Sequence, residues 1–143
     1  MSRITLPIPL LPASIRWAAV FVVAGLIFYA SLVTVPETVV DETHPGIIPL
    51  SSWRHFVAYF VLACTVAYAI EPWEIPRWHK AISVVVVASV YGAGLEAGQM
   101  FVPHRTDFLI EDVITNTLGA TGVLLWYGLH PRFQVQSYDE FIE

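Results

Sequence analysis

Apolar residues fall into four long runs, parted by short polar or proline-rich pieces. The first, Trp17 to Val35 (WAAVFVVAGLIFYASLVTV), carries no charge over 19 residues. A helix of that length reaches about 28 Å, enough to cross the hydrocarbon core of a bilayer. The pattern predicts further spans over about 53–70, 81–102 and 112–129. Between the first two lies PETVVDETHPGIIPL, whose prolines and acids predict a loop, after which Ser51 or Ser52 can cap the second helix. A turn, EPWEIPRWHK, links spans two and three, with Trp73 and Trp78 suited to the membrane interface. Pro103 to Ile110 forms the last loop. Residues 1–14 hold Pro7, Pro9 and Pro12, so they predict a short arm at the membrane surface rather than a helix.

Composition agrees with spans rather than with a soluble core. Hydrophobic residues make up 56% of the 143, and only 13% are charged, about half the share usual in a soluble domain. The fold class expected is therefore all-α: a polytopic membrane helix bundle of about four transmembrane helices, forming a single domain over 1–143. The first run is long for a signal-peptide core, and no small-x-small cleavage site follows it. Basic residues set the orientation. Arg3, Arg16, Arg77, Lys80 and Arg132 gather on one side, against Arg54 and Arg105 on the other, which predicts both termini in the cytoplasm. The net charge of −5 comes from the loops and the tail SYDEFIE, and no basic patch suggests nucleic acid. A lone cysteine, Cys64, excludes an internal disulfide framework.

Polar residues inside the apolar runs carry the functional signal, because ionisable groups at bilayer depth are costly and mark cavities or pathways. At 100° per residue, His55 and Tyr59 share a face of span two with Leu62 and Val66. Ser89, Gly92, Glu96 and Gln99 share one of span three; Asp112, Thr115, Asn116 and Gly119 share one of span four. Every ionisable member falls at the outer end of its helix, with Glu96 roughly 10 Å below the surface and with Arg54, Arg105 and Asp107 at the rim. Small residues allow close helix approach: Gly94 and Gly98 form a GxxxG, and Gly119 and Gly122 thin the fourth helix. Structural roles compete for the same residues. Glu96 can tie helices through Arg105 or His55, Asn116 and Gln99 can bond between helices, and Asp112 can cap the fourth.

The spacing Glu96-x2-Gln99, Arg105, Asp112-x3-Asn116-x2-Gly119-x2-Gly122, preceded by His55-Phe56-x2-Tyr59-Phe60, resembles the VanZ-like family of small membrane proteins. The resemblance covers about residues 51–122. It implies a compact bundle of four or five spans and an association with bacterial teicoplanin resistance and the cell envelope. Two departures stand out: Ser51 and Ser52 occupy positions where the family often has an Asp-Lys pair, and the gap from Arg105 to Asp112 is about one residue longer. Arg54 is placed to supply the missing cation.

These readings give a multi-pass cell-membrane protein with a site facing the extracytoplasmic side, and as partners membrane lipids or a lipid-linked envelope precursor. Glu96, His55 and Asp112 are the candidate catalytic groups, suited to acid–base work. Arg105 and Arg54 could hold a phosphate, with Gln99, Asn116 and Tyr59 completing the substrate-binding set. Sequence alone does not separate an enzyme from a non-enzymatic envelope binder or regulator. A small transporter is disfavoured because AISVVVVAS and LLWYG, on the inner side, hold no ionisable group. His55, Glu96 and Asp112 are ligand types, but no compact motif such as HExxH is present, so no metal and no cofactor is expected.

Overall fold

The computed structural model describes residues 6–34, 50–103, 109–129 and 133–137. Helix α1 covers Ala13–Phe28 and runs on as a π-helical turn, Tyr29–Val33. Helices α2 (Leu50–Ala69), α3 (Arg77–Gln99), α4 (Ile110–Thr121) and α5 (Val123–Leu129) follow. The all-α expectation thus holds for the body of the protein. A small addition is a parallel two-stranded ribbon, β1 (Leu6–Leu10) with β2 (Phe133–Ser137), in register Leu6 to Phe133 through Leu10 to Ser137. Leu6–Leu10 of the proline-rich arm is therefore a strand. Proline fits there because a two-stranded ribbon bonds its partner through alternate residues only. The Pro9 carbonyl faces the other way, where it accepts from the Tyr68 hydroxyl at 2.6 Å.

Helices α1 and α3 start one turn before their apolar runs, directly after Pro12 and Pro76. Each proline holds an extended backbone whose carbonyl accepts the first helical bonds, from Ile15 and Arg16 at Pro12 and from His79 and Lys80 at Pro76. That extra turn carries Arg16 and Lys80 into the protein, both buried. Arg16 Nη1 donates to the Ala69 carbonyl at 2.9 Å and more weakly to Tyr68 at 3.4 Å, so the guanidinium covers the unpaired carbonyls at the end of α2. Lys80 donates to the Glu71 backbone carbonyl and lies 3.7 Å from the Glu71 carboxylate. Both cations, expected from sequence as loop charges, act as helix caps. Replacing Arg16 by Met should cost about 1.5–3 kcal/mol, the range for hydrogen bonds to charged groups. A lower thermal midpoint in detergent, with ligand binding unaltered, is the expected readout.

At its other end α2 is described from Leu50, already helical, so Ser51 and Ser52 lie within the helix rather than at its cap. Helix α2 is central and packs against α1, α3 and α4. Its buried residues Tyr59, Leu62, Ala63, Val66 and Ala67 meet Val84, Ala88 and Leu95 of α3 and Ala120 of α4. Tyr91 ties α3 to α1 by donating to the Ala24 carbonyl at 2.7 Å. The fourth apolar run is not one helix: it breaks at Gly122 into α4 and α5. Two stretches, Ala13–Val33 and Arg77–Gln99, are long and apolar enough to cross a membrane as single helices. Large apolar side chains also face outward on the others, among them Val57 and Val61 of α2, Ile114 and Leu118 of α4, and Leu124 and Leu125 of α5.

Candidate functional site

Three helix ends meet at the pole opposite Arg16. His55 lies in the second turn of α2, Glu96 one turn before the end of α3, and Asp112 in the first turn of α4. The antiparallel run of these elements brings the three to one depth, and one ligand atom from each lies within 4.8 Å of the others. Asn116, one turn along α4 from Asp112, is fully buried beneath them. Its Oδ1 sits 2.9 Å from His55 Nδ1. An amide oxygen only accepts, so Nδ1 carries the proton and, in the neutral ring, Nε2 is bare. Nε2 points toward Asp112, with Oδ2 at 3.9 Å.

The cluster, the candidate chamber, is buried on its inner side and partly exposed on its outer side. Glu96 is 1% exposed and Asn116 0%, whereas the side chains of His55 and Asp112 are 23% and 19% exposed. Gln99 is buried on the Glu96 face of α3, and Tyr59 is buried on the His55 face of α2. The floor exists because α3 has no side chain at Gly92. A Cβ there would lie 2.9 Å from Tyr59 Cε1 and 3.1 Å from Asn116 Nδ2. Gly119 serves the α2–α4 contact, where a Cβ would collide with the Phe56 backbone carbonyl; at Gly122 it would strike the Phe60 ring.

The structure brings together His55, Glu96, Asp112 and Asn116, with Tyr59 beside them, and buries Gln99 three residues along α3 from Glu96. Asp112 is not the helix cap: that position is Leu109, whose side chain makes no capping bond. Arg54 is exposed, bordering a shallow surface depression with Trp53, Val57 and Ala58. Arg105 and Asp107, read as rim residues, lie outside the described residues, so the phosphate-holding pair is represented by Arg54 alone. Ser89, placed on the polar face by its spacing, is half-buried, and its hydroxyl finds no hydrogen-bond partner among the described residues. The GxxxG reading needs correcting. Among the described residues no atom comes within 4 Å of a Cβ at Gly94, and at Gly98 one would meet only Leu32, at 3.4 Å. Close approach on α3 belongs to Gly92, which the helical face already contained. What sequence spacing did not reveal is that Asn116 orients His55, a contact set by helix rotation and not by any motif.

No curated protein and no solved structure matches the chain. A family model described as VanZ/LLP1 matches residues 16–130, well beyond the stretch that carries the resemblance and inclusive of every group in the chamber. With most of its length so matched, the chain belongs to the VanZ/LLP1 family.

Proposed function

We propose that the protein crosses the membrane four times with both termini in the cytoplasm, and that its chamber opens toward the outer leaflet to take the polar headgroup of an envelope lipid or lipid-linked precursor. Outward apolar side chains on α2, α4 and α5, as well as on the two longer helices, favour immersion of the whole bundle. Pairing of β1 with β2 holds the segments before α1 and after α5 side by side, which favours an even number of crossings. Arg16, Arg77 and Lys80 lie at that same pole, the cytoplasmic one by the positive-inside rule. The chamber then faces outward, at the depth where headgroups meet acyl chains. An association of the family with teicoplanin resistance and the envelope fits such a ligand.

One observation carries this reading: an imidazole and two carboxylates from three separate helices converge over a buried floor. A carboxylate that is only 1% exposed is costly to place, and such groups within membrane helices tend to face the bundle interior and carry function. Glu96 and His55 can accept hydrogen bonds from headgroup hydroxyls or amines, and the same pair can exchange a proton with a bound hydroxyl. Tyr59, Gln99 and Asn116 shape the walls.

The test is lipid retention by protein extracted in polymer nanodiscs, read by mass spectrometry. One headgroup class should be enriched over the bulk membrane, and His55→Ala should reduce that enrichment by about tenfold, or 1.4 kcal/mol. An identical lipid profile around wild type and variant would remove the basis for the reading. Incubation of the purified protein with the enriched lipid separates binding from processing, since only processing yields a product of changed mass.

A further inference from the structure

We infer that His55, Glu96 and Asp112 together form a site for one first-row divalent metal ion, zinc foremost, that bridges the protein to a phosphate of its headgroup ligand. The inference deepens the headgroup reading above and rests on it for the ligand, though not for the ion. Each of the three offers a ligand atom within 4.8 Å of the other two. A point central to them lies no more than about 2.8 Å from each, so small side-chain rotations reach the 2.0–2.2 Å of zinc ligation. Three protein ligands also leave an outer position for water or a phosphate oxygen, the arrangement of zinc sites that engage substrates.

Two further features distinguish this cluster from a chance gathering of acids. His55 is held from behind: Asn116 Oδ1 accepts from Nδ1 at 2.9 Å and leaves the Nε2 lone pair facing Asp112. Ligating histidines are fixed in this way by a partner on the far ring nitrogen, which sets both tautomer and ring plane. Asn116 itself is 0% exposed, and its Nδ2 finds no hydrogen-bond partner among the described residues. So deep an amide is retained for what its oxygen does to His55.

Charge supplies the second argument. Among the described residues the cluster holds two carboxylates and one imidazole, and Arg54 is exposed on the surface of α2. Two carboxylates by themselves repel a phosphate. A divalent ion inverts that field: it is neutralised by Glu96 and Asp112 and still attracts a phosphate oxygen at its open position. The imidazole disfavours magnesium and calcium, which take oxygen ligands, and favours zinc among common ions.

The experiment uses full-length protein in detergent, stripped with EDTA and dialysed against Zn²⁺, Mn²⁺ or Mg²⁺, with metal counted by elemental analysis and retained phospholipid by mass spectrometry. One zinc per chain is expected, falling below about a tenth of that in Glu96→Gln and in Asp112→Asn. Asn116→Leu should keep the ligands and weaken zinc affinity 10- to 100-fold, the loss usual for a group behind a ligating histidine. Chromatographic behaviour identical to wild type confirms that each variant is folded. Wild-type protein without stoichiometric metal, or full zinc in Glu96→Gln, overturns the inference. Lipid retained without metal, yet lost in Glu96→Gln, overturns the ion and leaves the headgroup reading standing. Zinc bound at one per chain with no headgroup preference supports the ion and overturns the headgroup.

Discussion

Glu96→Gln should abolish headgroup binding, by about 100-fold or more, and leave the fold and its thermal midpoint nearly unchanged. The substitution keeps the shape of a side chain that is 1% exposed, so it opens no cavity. It removes the charge and one acceptor. An amide is neutral and a far weaker zinc ligand than a carboxylate, and hydrogen bonds to charged groups are worth about 1.5–3 kcal/mol against roughly 1 for neutral ones. A purely structural Glu96 predicts the reverse pattern. Polar contacts between membrane helices average about 0.6 kcal/mol, so a helix-tying carboxylate would show its loss in stability, with binding intact. Measuring the thermal midpoint and lipid retention on the same preparation decides between the two. A lowered midpoint with unchanged retention would assign Glu96 to scaffolding.

Much of this site was legible before any coordinates, because bilayer chemistry makes polar residues conspicuous. His55, Glu96, Asp112 and Asn116 each interrupt an apolar run, and a helical repeat puts each on a face with small or polar neighbours. Helix existence was equally plain; helix limits were not. Runs bounded by hydropathy begin at Trp17 and Ala81, yet the helices begin at Ala13 and Arg77, because Pro12 and Pro76 set their starts. Hydropathy therefore assigned Arg16 and Lys80 to loops, whereas one further turn of helix buries both against the end of α2. The break at Gly122 was hidden for a different reason. Glycine in an apolar run is common in membrane helices, and only the proximity of Phe60 shows what this one accommodates. Pairing between β1 and β2 joins segments from opposite ends of the chain, and no local pattern reports a contact at such separation. The GxxxG at Gly94 and Gly98 shows the converse error, a motif present in the sequence whose first glycine touches nothing.

Gly119→Ala should be the most destabilising single methyl in the protein, and should lower thermal stability and headgroup binding together. A Cβ at that position would overlap the Phe56 carbonyl, its carbon and its Cα, all backbone atoms of α2. No rotamer change relieves such a clash, so α4 must retreat from α2 as a unit. Overpacking in a well-packed interior costs typically 1–3 kcal/mol, and a backbone collision belongs at or above the upper end. Asn116 lies one turn before Gly119 on the same face of α4, and its bond to His55 spans this very interface. Helix retreat therefore breaks that bond and withdraws Asp112 from the His55 ring. Gly94→Ala provides the control, since its Cβ meets open space within 4 Å. There the gain in helix propensity, about 1 kcal/mol, should leave stability equal or slightly raised. The comparison is a pair of unfolding curves in one detergent with binding measured alongside. Equal midpoints for Gly119→Ala and wild type would mean that α2 and α4 are further apart than described, and the chamber between them would have to be redrawn. A fall in stability at Gly119 and not at Gly94, with binding lost in step, ties the chamber's chemistry to the close approach of these two backbones at Gly119 and Phe56.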